Sequence, residues 1–223
     1  MNQQLFFRAV TKFLGGFLVL ALLVFLPAWT LRYWQGWLLL AILFVPMLVV
    51  GAVLMKRSPA LLEKRLNAKE EQSEQKAVLA LSGLMFLAAF VLAGLNYHFG
   101  WFVLPAWVSI AAAVVFLGGY ALYAEVMREN AYLSRTVEVQ EDQKVIDTGL
   151  YGVVRHPMYL STLLLFLSMP LVLGSLFSFG VMLFYIPLIA KRIKNEEQVL
   201  LEGLPGYADY RKKVKYKVIP FLW

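Results

Sequence analysis

The chain has 223 residues, 61% of them hydrophobic, and a mean hydropathy of +0.68. Soluble domains hold roughly 45–50% apolar residues, so this composition marks an integral membrane protein. Cysteine is absent and histidine occurs twice, which excludes disulfides and a cysteine nucleophile and leaves too few ligands for the usual zinc sites.

A membrane-spanning helix needs about 20 apolar residues. Segments 13–31, 34–55, 77–98 and 103–123 each meet that length. The first of them is followed by no small-x-small cleavage site, so it reads as a span and not as a cleaved leader. A fifth apolar run, residues 159–190, would be about 48 Å long as one straight helix, well beyond the roughly 30 Å hydrocarbon core. Pro170 and Gly174-Ser175 lie at its middle, and predict a hairpin of two short helices. The expected fold is an all-α integral membrane protein with six transmembrane helices, the last two forming that hairpin.

Charge distribution supports six crossings over five. Residues 1–12, 56–76, 124–158 and 191–223 hold 20 of the 21 Lys and Arg residues, and only Arg32 lies elsewhere. Six crossings put all four segments, and both termini, on the cytoplasmic side, as the positive-inside rule requires. Five crossings would strand the last segment, with its eight basic residues, on the opposite side. The net charge of +7 is therefore topology and attraction to anionic lipid headgroups, and no nucleic-acid partner is expected. The chain reads as one membrane domain, residues 1–112 supplying N-terminal spans and residues 113–223 the functional core.

In chain order, residues 1–12 read as an interfacial lead-in. Trp29, Trp34 and Trp37 flank the first turn as an aromatic belt, and Pro46 is a tolerated kink. Ser58-Pro59 resembles a helix start, with Leu61, Leu62, Arg65 and Leu66 forming a short amphipathic turn. The mixed charges between Glu63 and Lys76 read as a solvated face. His98 falls at the outer end of the third span, away from other polar clusters, as an interfacial histidine. Gly118-Gly119 allows close helix packing in the fourth span. Residues 133–148, with Thr136, Val137 and Val139, read as extended chain or loop, which cannot face lipid with its backbone unpaired.

Three polar clusters then share one face: residues 130–146, residues 149–159, and residues 192–197 beyond the hairpin. The hairpin returns its two ends to one membrane surface, so these clusters meet. Arg192 and Glu196 are four apart on one helix face, either as an exposed ion pair or as a pocket wall. His156 and Tyr159 share a face at the start of the hairpin. Arg155 by itself reads as a snorkelling side chain.

Asn130, Val139-Gln140, Val145-Ile146, Gly149-Leu-Tyr151, Arg155-His-Pro-Met-Tyr159, Glu196-Glu197 and Tyr207-x-x-Tyr210 together resemble the isoprenylcysteine carboxyl methyltransferase family and the related phospholipid methyltransferases, over residues 115–221. The resemblance implies a membrane methyltransferase that uses S-adenosyl-L-methionine and releases S-adenosyl-L-homocysteine without a soluble Rossmann domain. The chain indeed lacks a glycine-rich strand–helix fingerprint. The resemblance further implies a cytoplasmic cofactor pocket built from Gln140, Gln143, Lys144, Val145, Ile146, Tyr151, His156, Pro157, Met158, Tyr159 and Glu196. Arg192 and Glu196 would be the catalytic residues, and Arg192 and Glu197 would meet the substrate.

The implied acceptor is an isoprenylcysteine-like or other lipidic carboxylate, free or on a prenylated protein, entering from the bilayer. A phospholipid ethanolamine headgroup is the alternative. Methyl transfer from a sulfonium is an in-line displacement that depends on alignment. A carboxylate acceptor is ionised at neutral pH and needs no base, whereas an amine would need one, with Glu197 the nearest candidate. Residues 130–149 align with the family only through a gap. Leu204-Pro205-Gly206-Tyr207 stands where the family more often has Phe-Gly and acidic residues, so the resemblance leaves open which of Glu196 and Glu197 meets the cofactor. Membrane sterol reductases carry a similar Arg-His-Pro-x-Tyr box and use a nicotinamide cofactor, in much longer chains. A non-enzymatic transporter or scaffold is the reading from a third class.

Overall fold

The computed structural model describes residues 3–66, 73–130, 132 and 139–223, with the side chains of 64, 65 and 73–75 left aside. Among them the regular elements are all helical. They are α1 (Gln3–Ala28), α2 (Trp34–Arg57), α3 (Pro59–Leu66), α4 (Ser73–Phe99), α5 (Ala106–Glu129), a 3-10 turn (Gly149–Gly152), α6 (Pro157–Val172), α7 (Leu176–Met182), α8 (Tyr185–Gly203) and α9 (Tyr207–Lys213). The side chain of Arg65, much of the charge run after Glu63, and Thr136 and Val137 of the expected extended segment lie outside the described residues.

Five helical stretches are long and apolar enough to cross a membrane: α1, α2, α4 from Lys76, α5, and α7 with α8 taken together. α6 is apolar but shorter, at 16 residues, or about 24 Å of rise. Leu18, Leu26, Leu48, Leu84 and Val114 are all more than half exposed. Apolar faces on this scale would be a liability in water and are matched by lipid.

Two expectations change. The lead-in at residues 1–12 is continuous with α1 from Gln3 onward, because no Gly or Pro interrupts the helix formers there. The long apolar run divides into three helical pieces instead of two. Gly174 takes φ +70° after α6, and Ser175 caps α7, its Oγ accepting from Ser178 N–H at 3.3 Å. A second break at Leu183 and Phe184 precedes Pro187, which has no N–H for the carbonyl four residues earlier.

The largest core cluster joins Val24, Leu39, Phe44, Ala93, Phe116, Leu165 and Val172, and so fuses α1, α2, α4, α5 and α6. A second unites Met85, Tyr159, Met182, Ile189 and Val218 across α4, α6, α7, α8 and the C-terminal segment. At the end of the bundle remote from residues 149–159, Tyr33 is fully buried, stacks on Tyr97 at 4.2 Å and donates its hydroxyl to Leu173 O. Asn96 closes the turn after α4 by bonding both the N–H and the carbonyl of Phe102 at 3.1 Å. Trp29 is exposed beside His98, their rings 4.8 Å apart. Neither residue approaches the polar clusters.

α5 lies against α6 through Gly119, where an added Cβ would stand 3.1 Å from Leu164 Cβ and Leu165 Cγ. Gly118 faces open space, so one glycine of the pair carries the close approach. Overpacking a tight helix contact costs typically about 1–3 kcal/mol. Gly119→Val is therefore expected to lower the thermal midpoint in detergent, whereas Gly118→Ala leaves it unchanged, as light-scattering melts would measure.

Candidate functional site

The chain enters the site at Gly149. It takes φ +55°, and any Cβ there would collide with the Glu129 carboxylate. Glycine is the residue that tolerates both demands. The carboxylate in turn accepts from Leu150 N–H, with its oxygens at 3.0 and 3.3 Å, and so seats the 3-10 turn on the end of α5. Tyr151 emerges from this turn and is held from two sides. Asn130 Nδ2 donates to its hydroxyl at 2.8 Å, and the Tyr210 hydroxyl donates to its carbonyl at 2.7 Å.

Pro157 opens α6, where its fixed φ and missing N–H cost nothing. Just before it, Arg155 N–H and His156 N–H donate to the carbonyls of Tyr216 and Lys217 at 3.0 and 2.8 Å. The C-terminal segment thus runs alongside the start of α6. Arg155 does not snorkel, contrary to the sequence reading. Its Nε donates to Glu197 Oε1 at 2.7 Å, and its Nη1 donates to Val214 O and Lys215 O at 2.7 and 2.9 Å. The two side chains are only 4% and 6% exposed. Inward burial wins because Arg155 finds a carboxylate and two carbonyls there, as a buried charge requires.

Glu197 serves this interior cluster and not the cavity. His156 Nε2 lies 3.3 Å from its Oε1, and Lys217 Nζ lies 3.5 Å from its Oε2. Glu196, one residue earlier and about 100° round the helix, faces the cavity. There the Tyr159 hydroxyl donates to Glu196 Oε2 and accepts from Arg192 Nε at 3.2 Å. One phenol therefore links a carboxylate and a guanidinium on the cavity wall. His156 Nδ1 stands 4.0 Å from Glu196 Oε1.

The cavity is lined by Gln143, Lys144, Val145, Ile146, Tyr151, His156, Met158, Tyr159, Arg192 and Glu196. These are ten of the thirteen residues singled out from the sequence. The other three sit behind it. Pro157 is fully buried at the start of α6. Gln140 shapes the loop, its N–H donating to Gln143 Oε1 at 2.9 Å and its Nε2 to Tyr132 O at 2.5 Å. Glu197 holds Arg155. The sequence reading did not assign Asn130, Tyr132, Arg155, Val199, Leu200, Leu204, Tyr207 or Tyr210, which complete the lining. Val199 and Leu200 follow Arg192 at seven and eight residues, a helix-face spacing that was legible.

The lining combines cationic, anionic, aromatic and aliphatic groups. Burial foremost, and the Glu197 and Glu196 charges after it, raise the Tyr207 phenol far above its usual range. Burial also raises Tyr210, so both are hydroxyl donors at neutral pH. The Tyr207 hydroxyl is buried and has no hydrogen-bond partner among the described residues. No group of His, Asp and Glu suited to a metal ion occurs among them either.

Residues 109–202 match the model of the isoprenylcysteine carboxyl methyltransferase (ICMT) family. The match covers less than half of the chain. The match spans α5 through α8, including the Arg155-His-Pro-Met-Tyr159 box and the Arg192–Glu196 wall, and stops before α9. ICMT proteins are membrane methyltransferases, in keeping with the apolar helices around this segment. Two curated relatives align with parts of the chain. Delta(14)-sterol reductase TM7SF2 of Mus musculus is 30% identical over 91 residues, covering 40% of this chain and 22% of that protein. Delta(14)-sterol reductase of Methylotuvimicrobium alcaliphilum is 23% identical over 135 residues, covering 54% and 32%. The chain thus matches a third or less of the length of these relatives.

Removing one member of a buried ion pair costs about 3–5 kcal/mol because the other charge is stranded. Glu197→Ala is expected to lower the thermal midpoint sharply in detergent. The double variant Arg155→Met with Glu197→Leu should recover part of that loss, since it removes both buried charges and leaves only the part-exposed Lys217 without its carboxylate. A melt of the double variant no higher than that of Glu197→Ala would contradict this role for the pair.

Proposed function

We propose that the protein transfers a methyl group from S-adenosylmethionine to a carboxylate on a lipidic, isoprenylcysteine-like acceptor. The observation that carries this reading is the Tyr159 phenol linking Glu196 to Arg192 on one cavity wall. S-adenosylmethionine, when bound, supplies an electrophilic methyl on a positively charged sulfonium. Glu196 offers a carboxylate to the cationic groups of such a molecule. Arg192 offers a guanidinium to an anionic acceptor, with the fork geometry that suits a carboxylate. The unpaired Tyr207 hydroxyl and the apolar lining from Leu200 and Leu204 also fit a ligand with a planar, polar-edged ring.

Each residue then has a task. Tyr159 keeps the carboxylate and the guanidinium at fixed separation, so alignment is built in before either reactant arrives. His156, 5% exposed, and Met158 add to the cavity wall. A carboxylate acceptor is already ionised at neutral pH, so the site needs no general base. Glu197 is engaged by Arg155, His156 and Lys217, which removes the nearest base that an ethanolamine acceptor would require. This favours a carboxylate over a phospholipid amine.

The charge distribution supports a six-crossing topology in which α6 and the α7–α8 unit form the last two crossings. Both chain ends and the cavity then face the cytoplasm, where S-adenosylmethionine is made. The acceptor would enter laterally from the bilayer, beside the apolar faces of α6 and α8.

The sterol reductase relatives support a second reading, a nicotinamide-dependent reductase. Charge alone does not separate the two ligands, because Arg192 and Lys144 share this cavity with Glu196. Calorimetric titration of the purified protein with S-adenosylhomocysteine and with NADPH separates the two readings. Binding of the first and not the second is expected, and the reverse would overturn the proposal. Glu196→Gln should weaken S-adenosylhomocysteine binding about tenfold or more, as loss of a charge-assisted contact implies. Arg192→Ala should reduce methyl transfer to a lipidic carboxylate by at least that factor. Mass spectrometry of lipids and thioethers labelled from methyl-labelled cofactor identifies the acceptor.

A further inference from the structure

The Tyr207 hydroxyl is buried, lines the cavity and has no partner among the described residues. A buried hydroxyl left unpaired costs stability, and such groups in native proteins call for an explanation. Nothing in the packing demands a phenol there. Its ring sits among Leu204, Tyr210, Val214, Val145 and Leu200, where phenylalanine would pack equally well. Tyr210, three residues on, uses its hydroxyl to hold the Tyr151 carbonyl. Tyr207 therefore carries a donor that the apo fold leaves unused. It also lies beyond residues 109–202, outside the segment matched to the ICMT family.

We infer that Tyr207 is a cofactor-binding residue, its hydroxyl donating a hydrogen bond to the adenine ring of S-adenosylmethionine. This rests on the methyltransferase reading above and adds the orientation of the cofactor in the cavity. The cavity lining is chemically mixed. Arg192, Glu196 and Tyr159 give the lining its charged part, suited to the amino-acid and sulfonium groups. Tyr207 packs among Leu200, Leu204, Val145 and Tyr210, an aliphatic and aromatic surround suited to a planar heterocycle. Tyr207 remains protonated because burial and the nearby Glu197 and Glu196 charges oppose a phenolate. A ring nitrogen of adenine is a neutral acceptor that such a donor can meet.

The test is Tyr207→Phe, a change that removes only the hydroxyl and keeps the ring. Two opposed effects are expected. The apo variant should melt a few degrees above wild type in detergent, because an unpaired buried hydroxyl is gone. Its affinity for S-adenosylhomocysteine should fall about three- to tenfold, as loss of one neutral hydrogen bond implies. Adenosine should displace labelled S-adenosylhomocysteine less well from the variant than from wild type, by a similar factor. Equal affinities of variant and wild type would overturn the inference, and together with a lowered apo melt would assign the hydroxyl to a buried water. A loss with S-adenosylhomocysteine but no difference with adenosine would overturn the orientation. Failure of wild type to bind S-adenosylhomocysteine at all would instead overturn the methyltransferase reading on which the inference rests.

Discussion

The Glu197 carboxylate, drawn out of water between Arg155, His156 and Lys217, is the contact on which the site depends. Burying a carboxylate is costly unless it is paired and hydrogen-bonded. The fold meets that demand by bringing together the start of α6, the middle of α8 and the C-terminal segment. Arg155 completes the junction by reaching two carbonyls of that segment. Once these three pieces are locked, the neighbours in sequence are placed as well. His156 follows Arg155 and Glu196 precedes Glu197, so the buried pair positions its sequence neighbours on the cavity wall.

This division of labour explains two adjacent glutamates. Consecutive residues on a helix point about 100° apart, so Glu196 and Glu197 cannot serve the same surface. One faces an interior cation and the other a cavity wall where Tyr159 and Arg192 hold it. A similar economy governs the turn at Gly149, where the Glu129 carboxylate both ends α5 and seats the segment that delivers Tyr151. Charges at this end of the bundle organise backbone first and line the cavity second.

What the sequence made legible follows from the range of the interactions involved. Hydropathy marks the spans because lipid imposes a length. The Arg192–Glu196 wall was visible because four-residue spacing is a property of one helix. The Arg155–Glu197 pair was not, since its members are 42 residues apart and meet only when the hairpin closes. Arg155 alone could only read as a snorkelling side chain. The break before Pro187 was missed because Pro170 and Gly174 already accounted for a bend in the same run. Tyr207 and Tyr210 looked alike as a spaced aromatic pair, and only packing distinguishes the hydroxyl that is used from the one that is not.

The shortness of α6 has a consequence for the membrane itself. At 16 residues it rises about 24 Å, some 6 Å less than the hydrocarbon core. A helix too short for its bilayer is accommodated by thinning of the lipid beside it. The cavity opens at the N-terminal end of this same helix, formed by His156, Met158 and Tyr159. If α6 is the fifth crossing of the proposed topology, mismatch would thin the bilayer beside the residues that line the cavity. An amphiphilic acceptor of the proposed kind would then present its polar end to the cavity while its tail stays among the lipids.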